Sequence, residues 1–314
     1  MPSPQKVIID VDTGVDDAQA IILALSRPDV LDVLAVTCVQ GNVDITNVCR
    51  NTLRVLSVCD RLNVPVYKGC EKPLTGEGPD ATHYHGRDGM GDVANPEPVD
   101  MNLIQSEHAT LALLRLVNQY PGEITLVALA PLTNIAVALR LDPDFGKKLK
   151  EMVIMGGNVQ GKGNTSPAAE FNFRSDPEAA HVVLKEIGCP ILLVPWETCA
   201  DNGQSWTWTE NWLKTDTRKG HFQNSIVQYS IGRLKSANRS HYRSCDLLAM
   251  AFIIDRSVAT ETEEFYGEVE MSGSITRGQL VCDWRKVMGR KVNIKAVTAV
   301  SVEKARVLYD AMLL

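Results

Sequence analysis

The chain has 314 residues, 45% apolar and 22% charged, with a formal net charge of −6. Such a chain can bury a large core without staples, and with no Lys/Arg run or basic domain it excludes a nucleic-acid footprint. No apolar run approaches a membrane span and the opening "MPSPQKVIID" lacks a signal-peptide core, so a cytoplasmic protein without a membrane partner is expected.

The first predicted strand is "KVIIDVD" (6–12), followed by helical apolar spacing in "DDAQAIILALS" (16–26). A β-branched strand, "VLAVTCV" (33–39), leads into a helix over 47–62 and a strand over 64–69. Residues 70–106 are rich in Gly and Pro and read as a long functional loop. Further strands are predicted at 124–130, 151–157 and 190–195, and helices at 107–119, 132–141 and 176–187. A polar segment with Trp206, Trp208 and Trp212 fills 196–245 and reads as a second loop insertion. Apolar strands alternating with helices predict an α/β fold. It is a single domain over 1–314, with a mostly parallel, Rossmann-like sheet covered by helices on both faces. Its ligand site belongs at the C-terminal ends of the strands. The eight cysteines form no C-x-x-C pair and are read as free thiols.

The densest chemistry lies in "IIDVDTGVDD" (8–17). Asp12 ends the first strand, Thr13 and Gly14 turn the chain, and Asp16 and Asp17 open the next helix, where the dipole favours anions. Three carboxylates at one sheet edge would repel or take up protons unless a cation joins them. A hard divalent ion with several oxygen ligands, Ca²⁺ before Mg²⁺, resolves the conflict. The alternative is a capping cluster of ordinary first-turn acids. In "AEFNF", an extended backbone would put Glu170 and Asn172 on one side and Phe171 on the other. In "VIMGGN" (153–158), Gly156 and Gly157 are read as permitting close backbone approach.

At these residues the sequence resembles the inosine–uridine preferring nucleoside hydrolases. The resemblance is carried by "DVDTGVDDAQAI", "TCVQGN", "HYHGRDGMG" (83–91), "LAPLTNIA" (129–136), "VIMGGN", "NTSPAAEFNFRSDPEAA" (164–180) and "CDLLAMAFIID" (245–255), in that order. It implies a calcium-dependent enzyme that splits ribonucleosides into base and ribose. It also implies Asp12, Asp17, Asp246 and the Leu129 carbonyl as metal ligands, with Asp12 the general base for the attacking water. Asp16, Asn164, Glu170, Asn172 and Asp246 would hold the ribose hydroxyls. Met155 and Phe171 would pack near the sugar, Asn42 would sit beside the metal and its water, and Asp10 would stand behind the ligands. Assembly as a homodimer or homotetramer follows from the same resemblance.

One position departs. Where many members of the family carry the histidine that protonates the leaving base, this chain has Cys245, and a thiol is a weaker acid than imidazolium. His85 is the preferred substitute, His241 a second, and the segment 206–212 could stack on a purine instead. Two other functions compete. One is a ribose- or nucleoside-binding protein without turnover, suggested by Cys245. The other is a haloacid-dehalogenase-type phosphatase using Asp10 of "DVDTG" as nucleophile.

Overall fold

The computed structural model describes residues 3–314. Strand and helix alternate at once: β1 (Gln5–Val11), α1 (Val15–Leu25), β2 (Leu31–Cys38), α2 (Ile45–Val58) and β3 (Val66–Lys68). The Gly/Pro-rich stretch follows as a loop that holds only α3 (Thr82–His85), a 3₁₀ turn and β4 (Ile104–Gln105). Next come α4 (Ala109–Gln119), β5 (Thr125–Ala128), α5 (Thr133–Leu141), β6 (Glu151–Met155), α6 (Phe171–Ser175), α7 (Pro177–Glu186) and β7 (Ile191–Val194). The C-terminal third contains α8 (Trp196–Asp201), β8 (Gln204–Ser205), α9 (Trp206–Trp212), α10 (Arg218–Ser236), β9 (His241–Tyr242) and α11 (Cys245–Ile254). It closes with β10 (Ala259–Phe265), β11 (Gly267–Val269), β12 (Leu280–Cys282), β13 (Ile294–Val300) and α12 (Val302–Met312).

Nine strands form one sheet in the order β10-β13-β7-β6-β5-β1-β2-β3-β4. Every pairing is parallel except β10 with β13. Alternate residues of β1 enter opposite layers: Val7, Ile9 and Val11 one, Ile8 the other. Burial of each such side chain contributes about 1.5–3 kcal/mol. The chain runs outward from β1 through β2 to β4, then returns to β5 on β1's other side and runs outward again. The carboxyl ends of β1 and β5 therefore flank a topological switch point, where open α/β sheets leave a crevice. Among the described residues no helix is long and apolar enough to cross a membrane, and all eight cysteines are free.

The loop expected over 196–245 is instead largely helical. In α10 the buried positions Gln223, Ile226, Val227, Ser230, Ile231 and Leu234 follow helical spacing. Two of them are polar, which hid the stripe from a reading of apolar residues alone. The segment 206–212, for which base stacking was one alternative, packs α9 against the C-terminal helix. Trp208 stacks on Trp212 at 5.0 Å, Trp212 donates to the Tyr309 carbonyl, and Trp208 donates to Asp310. Trp206 donates to the Arg239 carbonyl.

Candidate active site

The turns after the central strands deliver the acidic side chains to the crevice. Asp12 follows β1 directly, and its carboxylate accepts the backbone N–H of Asn42 at 2.7 Å from the turn after β2. Asp17, in the first turn of α1, accepts the N–H groups of Gly14 (2.9 Å) and Asp12 (3.3 Å) and the side-chain amide of Asn42 (3.2 Å). The helix therefore caps itself with an acid that also faces the site. Asp246 lies in the first turn of α11, which packs along α1. Two helix N-termini thus aim their positive ends at one acidic cluster. Gly41 is required by the closeness of this packing, because a Cβ there would stand 2.0 Å from the Asp12 carboxylate.

Carboxylate oxygens of Asp16, Asp17 and Asp246 all lie within 4.8 Å of one another. This triad has Asp16 where the resemblance gives Asp12, whose carboxylate leans on Asn42. Asp12, Asp17 and Asp246 are buried, and none has a Lys, Arg or His partner among the described residues. Burial first, and then neighbouring carboxylates, push Asp12 and Asp246 well above the usual carboxylate range and Asp17 to about 7. The Leu129 carbonyl, at the end of β5, accepts from the Asn172 amide at 2.9 Å and keeps a second lone pair. Hard oxygen donors around excess negative charge fit a divalent cation.

The segment "EFN" is not extended. Glu170 caps α6, accepting the N–H groups of Asn172 (2.8 Å) and Phe173 (3.1 Å), and also that of Gly157 (2.8 Å). Gly157 has φ +63°, and a Cβ there would meet the Phe173 ring at 2.9 Å. Burial pushes Glu170 up to about 7. Phe171 is therefore not turned away: Glu170, Phe171 and Asn172 line one cavity of about 340 Å³ with Asp12, Asp16, Asn42, His85, Leu129, Met155, Asn164, Cys245 and Asp246. That volume suits a small-molecule ligand.

Two proton-donor candidates change in meaning. His241 is absent from the cavity, its Nε2 held 2.8 Å from the Ala200 carbonyl. His85 is buried at the cavity wall, and its Nδ1 accepts the Val15 N–H at 3.0 Å. Burial lowers its pKa, so the ring is neutral with its proton on Nε2, 3.9 Å from Asp16. That arrangement is not an imidazolium acid aimed at a base. The nucleophile of the phosphatase reading fails on position. Asp10 has no exposure, and its Oδ1 is taken by Thr37 (2.5 Å) and Asn134 (2.9 Å) behind the site.

Sequence reasoning missed the far wall: Tyr84, Trp196, Arg233, Arg239 and Arg243. Trp196 alone had a signal, since it follows the carboxyl end of a predicted strand. The arginines come from segments read as loop.

The family model of the inosine-uridine preferring nucleoside hydrolases matches residues 7–307. The chain belongs to that family. The hydrolase from Crithidia fasciculata with that name is 35% identical over 304 residues, covering 96% of this chain and 95% of the relative. The one from Leishmania major is 35% identical, covering 96% and 94%. Among solved structures, an inosine-guanosine nucleoside hydrolase matches with a TM-score of 0.90 at 33% identity, covering 99% of this chain and 98% of that one. A plant nucleoside hydrolase matches with a TM-score of 0.90 at 32% identity, covering 99% of both. The family's chemistry is hydrolysis of the N-glycosidic bond of ribonucleosides, at a metal-dependent site. A ribonucleoside hydrolase is accordingly favoured over a non-catalytic binder or a phosphatase.

Proposed function

We propose that this hydrolase works with Ca²⁺ held by Asp12, Asp17, Asp246 and the Leu129 carbonyl, and that Asp12 takes the proton of the attacking water. The observation that carries this is the cluster of buried carboxylates with no basic partner. Such a cluster would otherwise hold protons at neutral pH and could not act as a base. When bound, the cation would neutralise that charge and lower the pKa of water.

The remaining steps belong to the chain's own residues. Asn42 fixes Asp12 and Asp17 through its N–H and its amide, which keeps the base aimed. Asp16, Asn164, Glu170, Asn172 and Asp246 take the ribose hydroxyls, and Met155 and Phe171 pack on the sugar. As the glycosidic bond lengthens, the ribose becomes oxocarbenium-like, and the surrounding carboxylates stabilise its positive charge. His85, tied to Val15 at Nδ1, presents Nε2 to the cavity 3.9 Å from Asp16. The site demands both ribose hydroxyls, because a missing one leaves buried acceptors unpaired.

The test is release of reducing sugar from ribonucleosides, 2′-deoxyribonucleosides and p-nitrophenyl riboside, before and after exhaustive chelation. Turnover lost on chelation and restored by Ca²⁺, with 2′-deoxyribosides at least ~100-fold slower, is expected. Full activity in chelator would overturn the metal assignment.

A further inference from the structure

The cavity is lined by both acids and arginines. Its acids come from the sheet edge and from the start of α1, α6 and α11. Its arginines, Arg233, Arg239 and Arg243, all come from the end of α10 and the link to α11. A riboside whose hydroxyls engage the acids projects its base toward the other wall. Two imidazoles line the cavity, the exposed His83 and the buried His85. His85 has its Nδ1 taken by the Val15 N–H, and its Nε2 stands 3.9 Å from Asp16, beyond hydrogen-bond reach. Cys245 offers only a thiol, packed beside Cys199.

The three guanidinium groups are unspent. None makes a side-chain hydrogen bond or ion pair with an acid among the described residues, whereas Arg115, Arg140 and Arg277 are each paired. Arg243 is half-buried, its guanidinium carbon 4.7 Å from the centre of the Trp196 ring. The ring lies within cation–π reach of the guanidinium, and the guanidinium N–H edge has no acceptor among the described residues. That edge matches an adjacent pair of oxygen or nitrogen acceptors. Arg233 and Arg239 are more exposed and act at longer range through solvent.

We propose that Arg243, supported by Arg233 and Arg239, receives the leaving group as an anion, so that bond cleavage needs no proton donor and the site selects bases that carry negative charge well. The inference rests on the hydrolase reading above. The C1′–N bond breaks with its electron pair remaining on the base. The water oxygen bonds to C1′ and its proton passes to Asp12 and then to solvent. The released base anion takes a proton from solvent. The sum is riboside plus water giving ribose plus neutral base.

The test compares the unsubstituted protein with Arg243→Met and Arg243→Lys on inosine, uridine and phenyl ribosides of graded phenol acidity. Methionine keeps the apolar stem and removes the charge. Arg243→Met should lower kcat/KM about 10-fold for p-nitrophenyl riboside and about 100-fold for the least acidic phenols, which steepens the dependence on leaving-group acidity. Arg243→Lys should restore part of that loss, and inhibition by free ribose should be unchanged in both. A uniform loss across the series, or no loss, would overturn the role of Arg243 while leaving the hydrolase intact. No turnover of any riboside by the unsubstituted, metal-loaded protein would overturn the hydrolase reading and this proposal with it.

Discussion

Replacing Asp10 by Asn separates the electrostatic strain behind the site from its chemistry. Asp10 is fully buried; its Oδ1 has two partners, Thr37 and Asn134, and its Oδ2 has none. Burial pushes its pKa up to about 7, against about 3.9 in an unfolded chain. Between those values the folded chain keeps a proton that the unfolded chain has lost. The contribution to stability is therefore full at low pH and is lost as pH rises through about 7. The gap between the two values corresponds to ~4 kcal/mol, of which about 2–3 kcal/mol disappears between roughly pH 5 and pH 8. Asparagine preserves the acceptor and never ionises, so it escapes this loss. Its amide N–H₂ replaces Oδ2, which has no partner, at a pH-independent cost of about 1–3 kcal/mol. Urea unfolding of both proteins at the two pH values, in chelator, measures the difference. The variant should gain about 2–3 kcal/mol on the parent as pH rises. A difference that stays constant with pH would refute the reasoning. The same variant should still release ribose when metal is restored, as a residue behind the chemistry must.

Three further outcomes test the centre itself. Asp12→Asn should lower kcat by about 10²–10⁴-fold while calorimetry finds ribose affinity within about tenfold of the parent; retained hydrolysis would remove Asp12 as the base. Gly41→Ala forces a Cβ into the space of the Asp12 carboxylate and should cost about 100-fold in kcat, with a folded far-ultraviolet spectrum. Cys245→His should leave the ratio of rates between p-nitrophenyl riboside and the poorest leaving groups unchanged; selective speeding of the poorest would show that a missing proton donor limits the rate.

The fold and the acidic end were legible for the same reason. Parallel strands buried on both faces read as plain apolar runs, and the residues that end them fall at the carboxyl edge by geometry alone. Asp12 was found in this way, whereas Asn42, Leu129 and Met155 came from the family resemblance, and each lies at or just beyond a strand end. The edge strand β10 was not, because "ATETEEF" is exposed along most of its length and carries no apolar signal. The base end was illegible because it is made by helix packing. Arg233 projects from a helix whose buried stripe includes Gln223 and Ser230, and Arg243 lies in a short link whose position depends on β8 pairing with β9. The EFN segment misled for a local reason: Glu170 finds three backbone N–H groups at a helix start, and capping overrides the alternation of an extended chain.

The two ends of the cavity share one electrostatic logic. Breaking an N-glycosidic bond separates charge, positive on the sugar and negative on the base. A site that answers only the sugar still needs a proton for the base. Here the acids are fixed by backbone N–H groups and helix starts, so they are oriented before substrate arrives and need little reorganisation as positive charge develops. The arginine wall extends that preorganisation to the other half of the charge separation, with Trp196 in cation–π contact with Arg243. On this account the histidine expected before Asp246 is dispensable, since the requirement it meets by donating a proton is met by fixed positive charge. Cys245 and the arginines of 233–243 then act together in how the base departs, and substrate preference follows from the stability of the base anion rather than from its basicity.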